Sequence, residues 1–289
     1  MDELRVLCFD LGLEYEELPG STRTTKMHSL IEYLFRRVEM RKLLAEVNEQ
    51  RPSVAWPSFP SKSSISEPGL LNQDQSRNFV HERSSLEMIF IPPGVFLFGE
   101  EKQPAFLPGY WIAKTPVTNA HYARFVQDSG HEPPKHWKNG ISPPKLALHP
   151  VVWVSWNDAA LFALWAGLDL PTEQQWEKAA RGNDGREYPW GNEWKPYCNT
   201  EEAGYGTTTP VGYYSPFGDS PFGCEDMAGN VWEWTDSWWD KEKEWRVLRG
   251  GAWFFNYWSA RVNLRYMYDP YFRFYGFGFR VVLSTMPTQ

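Results

Sequence analysis

Apolar positions follow a helical spacing in the first fifty residues and lose it afterwards, and that change divides the chain. Leu4, Leu7, Cys8 and Leu11 recur at i, i+3, i+4 and i+7, with Gly12 as a stop. Leu30, Ile31, Leu34, Phe35 and Val38 form a second stripe, and Met40, Leu43, Leu44 and Val47 a third. Residues 1–50 are therefore expected to be a small all-α unit. From 51 to 85 the chain is rich in Pro and Ser without periodicity, as in RPSVAWPSFPSKSSISEPG, and reads as a linker whose Trp56 and Phe59 are able to dock on a flanking domain. From residue 86 the pattern turns mixed. MIFIPPGVFLFG predicts two short strands about a Pro-Gly turn. TPVTNAHYARFVQDSG predicts a helix with Thr118 as N-cap and Gly130 past its end. VVWVSW predicts a strand, followed by a helix over 157–166 whose N-cap is Ser155, with Asp158 three residues on. In LPTEQQWEKAARG, Thr172 and Gln175 have the spacing of a capping box for a third helix. Beyond Gly182 little helix is expected, only short strands around Val231 to Trp234, Arg246 to Gly250 and Phe279 to Leu283. The class is α+β.

Composition sharpens this picture in three places. With 289 residues the chain has room for two domains. Aromatic residues make up 17 %, and the sixteen Trp fall mostly after Tyr110, which suits irregular loops pinned by large rings. A net charge of −7 argues against a nucleic-acid binder that works by neutralising phosphates. No apolar run reaches the length of a membrane span, and the start MDELRVLCFD is acidic, unlike a signal peptide. Cys8, Cys198 and Cys224 show neither a disulfide framework nor zinc spacing, so a reduced, cytoplasmic protein is the simplest expectation. In the first fifty residues Asp10, Glu14, Glu16 and Glu17 stand apart from Arg36, Arg37, Arg41 and Lys42. Two solvated helix faces are the plain reading of that split, and docking to a like domain is the alternative.

The strings LCFDLGLEYEELPG and LIEYLFRRVEMRKLLAEV resemble the death-fold-like effector-associated domains of bacterial conflict systems, which implies an adaptor that recruits a like domain. HPVVWVSWNDAALFALWAG, LPTEQQWEKAARG, YPWGNEW, DMAGNVWEWTDSWW, RVLRGGAW and GFGFRVV, in that order, resemble the formylglycine-generating-enzyme (sulfatase-modifying factor) family. For 86–289 this implies a C-type lectin fold of the formylglycine-generating-enzyme type. The enzymes of that family hold copper on a cysteine pair after the GG motif. The matching positions here are Phe255 and Ala260, and no cysteine follows Cys224. The related sulfoxide synthases take iron-binding histidines mainly from an added helical domain, whereas residues 1–50 contain His28 alone. A non-enzymatic protein without a redox metal is expected. A diverged oxidase, or a sensor domain of fixed specificity, is the rival.

In place of the cysteines the chain runs WFFNYWSARVNLRYMYDPYFRFYGFGF from Trp253 to Phe279. A single core would hardly hold so many rings beside three arginines, so many should face outward and mark a binding site. RVLRGGAW followed by irregular residues, then AR, Arg265, Pro270, Arg273 and GFR, is similar to the variable region of diversity-generating-retroelement proteins, here at about 249–280. In that family adenine-directed mutagenesis rewrites AAC-type codons between fixed scaffold residues. Phe254, Phe255, Asn256, Ser259, Leu264, Tyr266, Tyr268, Asp269, Tyr271, Phe272, Phe274 and Tyr275 fit the codon set, whereas Trp258 and Met267 do not. Those twelve residues and Trp258 form the expected ligand-binding surface. Tyr and Phe offer large rigid contact areas, as antibody paratopes do, and a few desolvated rings carry most of an affinity. The expected ligand is a protein, and a carbohydrate fits the same rings. Arg261, Arg265, Arg273 and Arg280 are read as ties to the scaffold, with a place in the contact surface as the alternative.

The resemblance also implies a structural calcium at Asp226, Gly229, Val231 and Glu233, whose oxygens are hard ligands. The alternative is a hydrogen-bonded turn around Asp226. A second family site starts at Asn199 and Thr200, but Ala203 stands where its Asp is expected, with Glu201 or Glu202 as substitutes. Trp156-Asn157-Asp158 spells a calcium tripeptide of sugar-binding lectins, yet opens a helix and reads as capping. His121, His131, His136 and His149 lack metal spacing and read as loop or surface residues.

Overall fold

The computed structural model describes residues 78–284. The helical unit expected at 1–50, and all of the expected linker before residue 78, lie outside them. Within them the sheet begins earlier than expected: strand β1 (Phe79–Val80) already pairs with β2 (Glu87–Ile91), and the Phe79 ring meets Trp111 edge-on at 5.9 Å. Strands β3 (Gly94–Phe98) and β4 (Gln103–Leu107) form a separate two-stranded ribbon. Strand β5 (Tyr110–Ala113) is buried along its whole length, as a short continuous apolar run at the centre of a sheet should be. It lies between β2 and the last strand, β10 (Val282–Ser284), both antiparallel to it.

The three helices match their sequence signals. Helix α1 (Asn119–Ser129) is capped by Thr118 and closed by Gly130 at φ 69°, a left-handed conformation that costs glycine nothing. Helix α2 (Trp156–Ala166) starts at a reciprocal Ser155–Asp158 capping box, and α3 (Glu173–Arg181) at a Thr172–Gln175 box. Every residue of α2 except Asn157 is buried, so this helix runs through the interior. Phe162 stacks on Tyr122 of α1 at 5.9 Å and meets Phe279 edge-on at 5.3 Å. Ile89, Ile91, Tyr110 and Ile112 of the first sheet pack with Trp176, Ala179 and Ala180 of α3, together with Met227, Val262 and Val282.

A second four-stranded sheet has the order β8–β7–β6–β9. It comprises β6 (Trp232–Trp238), β7 (Arg246–Arg249), β8 (Arg265–Tyr268) and β9 (Phe277–Phe279), with β9 parallel to β6 and the other pairs antiparallel. None of the described helices is long and apolar enough to cross a membrane.

The two short strands expected in MIFIPPGVFLFG are β2 and β3; they do not pair with each other, because β2 takes β5 and β1 as neighbours while β3 takes β4. Two expectations are corrected. VVWVSW joins no ladder. Its backbone bonds go to separate neighbours, Val151 N–H to Val117 and Trp153 N–H to Phe274, and Trp153 sits at φ 62°. The strand expected over Phe279 to Leu283 is two strands in two sheets, β9 and β10. Arg280 lies between them, donating to the carbonyls of Ala113, Lys114, Glu225 and Asp226.

Candidate recognition surface

The segment from Gly250 to Gly276 lies over the second sheet and is pinned at several points. Trp253 N–H donates to Asn230 O, Trp232 N–H to Gly276 O and Trp156 N–H to Pro270 O. Three arginines add charged ties. Arg265 sets its fork on Glu173 at 2.7 and 3.1 Å, and Arg273 sets its own on Asp158 at 2.7 and 2.8 Å. Fully buried Arg280 clasps both oxygens of Glu233 at 2.6 and 2.8 Å. Planar bidentate pairs fix direction as well as distance. Burial alone would raise the Asp158 carboxyl, but hydrogen bonds from His131 and Arg273 outweigh it and hold the group well below the usual carboxylate range. The Asp158 bond correspondingly raises Arg273, against its partial burial.

Six of the expected rings close a circuit on this frame. Going round, the centroids are 4.8 Å apart for Phe254–Phe255, 5.9 for Phe255–Tyr266, 6.4 for Tyr266–Tyr268, 4.3 for Tyr268–Phe272, 5.9 for Phe272–Phe274 and 5.7 for Phe274–Phe254. Tyr275 flanks it, 4.1 Å from Phe274 and 4.9 Å from Phe254. The rings rest on two buried ones. Trp232 stacks with Tyr266 at 5.1 Å, and Phe277 meets Tyr268 and Phe274 at 5.3 and 5.2 Å. Tyr266, Phe272 and Tyr275 are exposed, while Phe254, Phe255, Tyr268 and Phe274 are half-buried because each is wedged between its neighbours. Strand alternation in β8 explains the choice of face: Tyr266 and Tyr268 join the circuit, whereas Arg265 reaches Glu173 and lies over Trp239 at 4.5 Å.

The other expected positions fall around this circuit or outside it. Tyr271 is 52 % exposed on a turn where Asp269 accepts its N–H. Asp269, Asn256 and Leu264 are exposed. Trp258 is 51 % exposed and joins the aromatic run through Tyr257 at 5.9 Å. Ser259 is a correction. It is 4 % exposed, its hydroxyl donates to Asn256 O, and its carbonyl backs onto Gly251, so it belongs to the scaffold. Sequence reasoning missed Trp153, whose ring lies 6.5 Å from Phe274 and 6.2 Å from Tyr275. A bulky residue at positive φ is rare, and the strand expected over VVWVSW hid it. Missed too was an aromatic extension, in which Tyr257 meets Trp194 at 5.4 Å and Trp194 meets Trp190 at 5.9 Å.

Phe255 meets Trp232 edge-on at 5.6 Å, and Ala260 is fully buried. Cys198 and Cys224 are buried, and burial pushes both thiols up, Cys224 to about 11, away from the reactive thiolate. The residues expected to hold calcium do not fit a cation site. Glu233 accepts from Arg280 with both oxygens and also from Trp176 Nε1 at 2.9 Å. Asp226 accepts from Gly212 N–H and Asn230, and the Gly229 carbonyl accepts from Val231 N–H. Arg280 thus takes both Glu233 oxygens and the Asp226 carbonyl. Among the described residues there is no cluster of three or more His, Cys, Asp and Glu suited to a metal. His131 is tied to Asp158 and His149 to Thr208, and His121 completes the Thr118 cap.

Residues 75–285 match the profile of the sulfatase-modifying factor enzyme 1-like domain, and residues 1–52 that of effector-associated domain 7. The formylglycine-generating enzyme of Thermomonospora curvata is 34 % identical over 222 residues, which cover 54 % of this chain and 72 % of that protein. Among solved structures, PvdO from Pseudomonas aeruginosa superposes with a TM-score of 0.62 at 23 % identity, covering 73 % of this chain and 98 % of that one. Treponema denticola variable protein 1 superposes at 0.60 and 20 % identity, covering 72 % and 98 %. Both structures share the fold.

Proposed function

Since the chain belongs to the sulfatase-modifying factor enzyme 1-like family, we propose that it uses the C-type-lectin-type fold of that family for recognition and not for cysteine oxidation. The observation that carries this reading is the closed circuit of six rings on a buried aromatic floor, in a chain with no cysteine after Cys224. Cysteine oxidation of the kind the family's enzymes perform needs a reactive thiolate or a metal where the substrate reacts. A binding surface needs rigid apolar area, a few anchors and a frame that holds them. The circuit and its three arginine ties supply the second set.

The finer reading is that the exposed positions vary between copies while the frame stays fixed, as in retroelement-diversified proteins. The division of labour supports it. Phe254, Phe255, Asn256, Leu264, Tyr266, Tyr268, Asp269, Tyr271, Phe272, Phe274 and Tyr275 fit the codon set and are exposed or half-buried, whereas Arg265, Arg273 and Arg280 reach carboxylates outside the segment. The ligand is read as a protein, because a broad aromatic face suits flat epitopes. The N-terminal segment is read as an adaptor that recruits a like domain.

A library randomised at those eleven positions, displayed and panned against a panel of purified proteins, tests the reading. Members that bind individual proteins while keeping the parental Tm within a few degrees are expected. A library that folds yet yields no binder above background would sink it, as would turnover of a Cys-containing peptide by the parent chain loaded with copper.

A further inference from the structure

The six arginines from Arg246 onward divide by what their guanidinium groups touch. Arg246 pairs with Asp236, Arg249 with Glu177, Arg265 with Glu173, Arg273 with Asp158 and Arg280 with Glu233. Arg261 is the exception. Among the described residues no carboxylate lies within ion-pair distance of it, and its guanidinium rests 3.7 Å above the Trp258 ring. Its Nε is enclosed without a hydrogen-bond partner.

A guanidinium laid flat on an indole is held in one plane at little further entropic cost, and its terminal N–H groups then point as a fork. Trp258 leaves half of its own surface open, beside Tyr257 and the Trp194 ring. A cation without a counter-ion on an exposed indole is complementary to a carboxylate beside an apolar side chain. A neutral or basic ligand would leave the fork unpaired as it is desolvated, which is costly.

We propose that Arg261, held by Trp258, is the anion-reading element of this surface, and that its ligand is a protein bearing an Asp or Glu carboxylate next to an apolar side chain. The proposal rests on the recognition reading of the same surface and adds the chemical class of the ligand. It separates Arg261 from the other arginines, which hold the frame.

The test uses the full chain, immobilised, and a phage-displayed library of random peptides as the probe. The wild type, Arg261→Gln, Arg261→Glu and Phe272→Ala are panned side by side, with circular dichroism and Tm to confirm folding. Peptides taken by the wild type are expected to be enriched in Asp and Glu, an enrichment lost with Arg261→Gln and replaced by Lys and Arg with Arg261→Glu. A single acidic peptide should bind Arg261→Gln at least about tenfold more weakly than wild type. That gap should narrow as salt is raised. Acidic enrichment that persists in Arg261→Gln, or is missing in the wild type, overturns the proposal. If selected peptides depend on Phe272 and not on Arg261, recognition stands and this inference falls. If no chain enriches anything over a blank surface, both fall.

Discussion

Gly251 and Gly276 bracket the recognition segment, and a side chain added at each would meet different things. At Gly251 a Cβ would come 2.6 Å from the Ser259 carbonyl oxygen, a backbone atom, at a φ of 81°. At Gly276 it would overlap the Phe254 ring, a half-buried side chain that is able to turn aside. Left-handed strain and backbone overlap add, so Gly251→Ala should cost about 2–5 kcal/mol. Gly276→Ala should cost about 1 kcal/mol or less while moving Phe254 out of the circuit. Urea denaturation of the two variants checks the order, and a reversed order would mean that the Ser259 turn is not what Gly251 supports. The same contact explains the misreading of Ser259. Its codon class and its place among rings suggested the surface, but the clue was the neighbouring glycine pair, whose close approach cannot be read from one sequence.

Helix α2 carries the recognition segment through its first turn. Asp158 caps that turn through Ser155 N–H at 2.8 Å and also accepts from His131 and from both arms of Arg273, with Tyr122 and Glu132 nearby. Asp158→Asn breaks a buried ion pair from one side, which should cost about 3–5 kcal/mol near neutral pH. The sign of its pH dependence follows from a folded-state pKa held below the unfolded value of about 4. The stabilisation is complete above about pH 4 and fades as pH falls toward the folded value, so the gap between variant and wild type should close in strong acid. Denaturation midpoints from pH 3 to 7 measure it, and a gap that stays constant would place the cost in the cap alone. All three helices were legible because capping boxes and glycine stops are local signals. The strand pairings were not. Whether β2 joins β3 or β5 depends on partners more than fifteen residues away, and the split of Phe279 to Leu283 depends on two sheets meeting at Arg280. The aromatic run was legible as a surface, but its circuit was not, because it mixes strand alternation in β8 with turns on either side.

At the scale of the whole molecule the aromatic content divides into a buried floor and an exposed layer, and the two should respond differently to substitution. Phe277 is buried against Trp234, Tyr268 and Phe274, so Phe277→Ala opens a cavity and should cost about 3–5 kcal/mol. Tyr266, Tyr271, Phe272 and Tyr275 are exposed, so replacing all four by Ser removes more ring area yet should cost about 2 kcal/mol in total. For a domain of this size 1 kcal/mol corresponds to about 2–4 °C in Tm, which separates the two variants in one calorimetric scan. Under the proposed diversification, a surface that accepts new side chains without refolding would require this asymmetry, since most substitutions destabilise and margins are only about 5–15 kcal/mol. The frame offers a means to it, since Arg265, Arg273 and Arg280 are tied to carboxylates and not to the rings of the circuit. If the fourfold Ser variant unfolds as readily as Phe277→Ala, the rings are core and the surface has no freedom to vary.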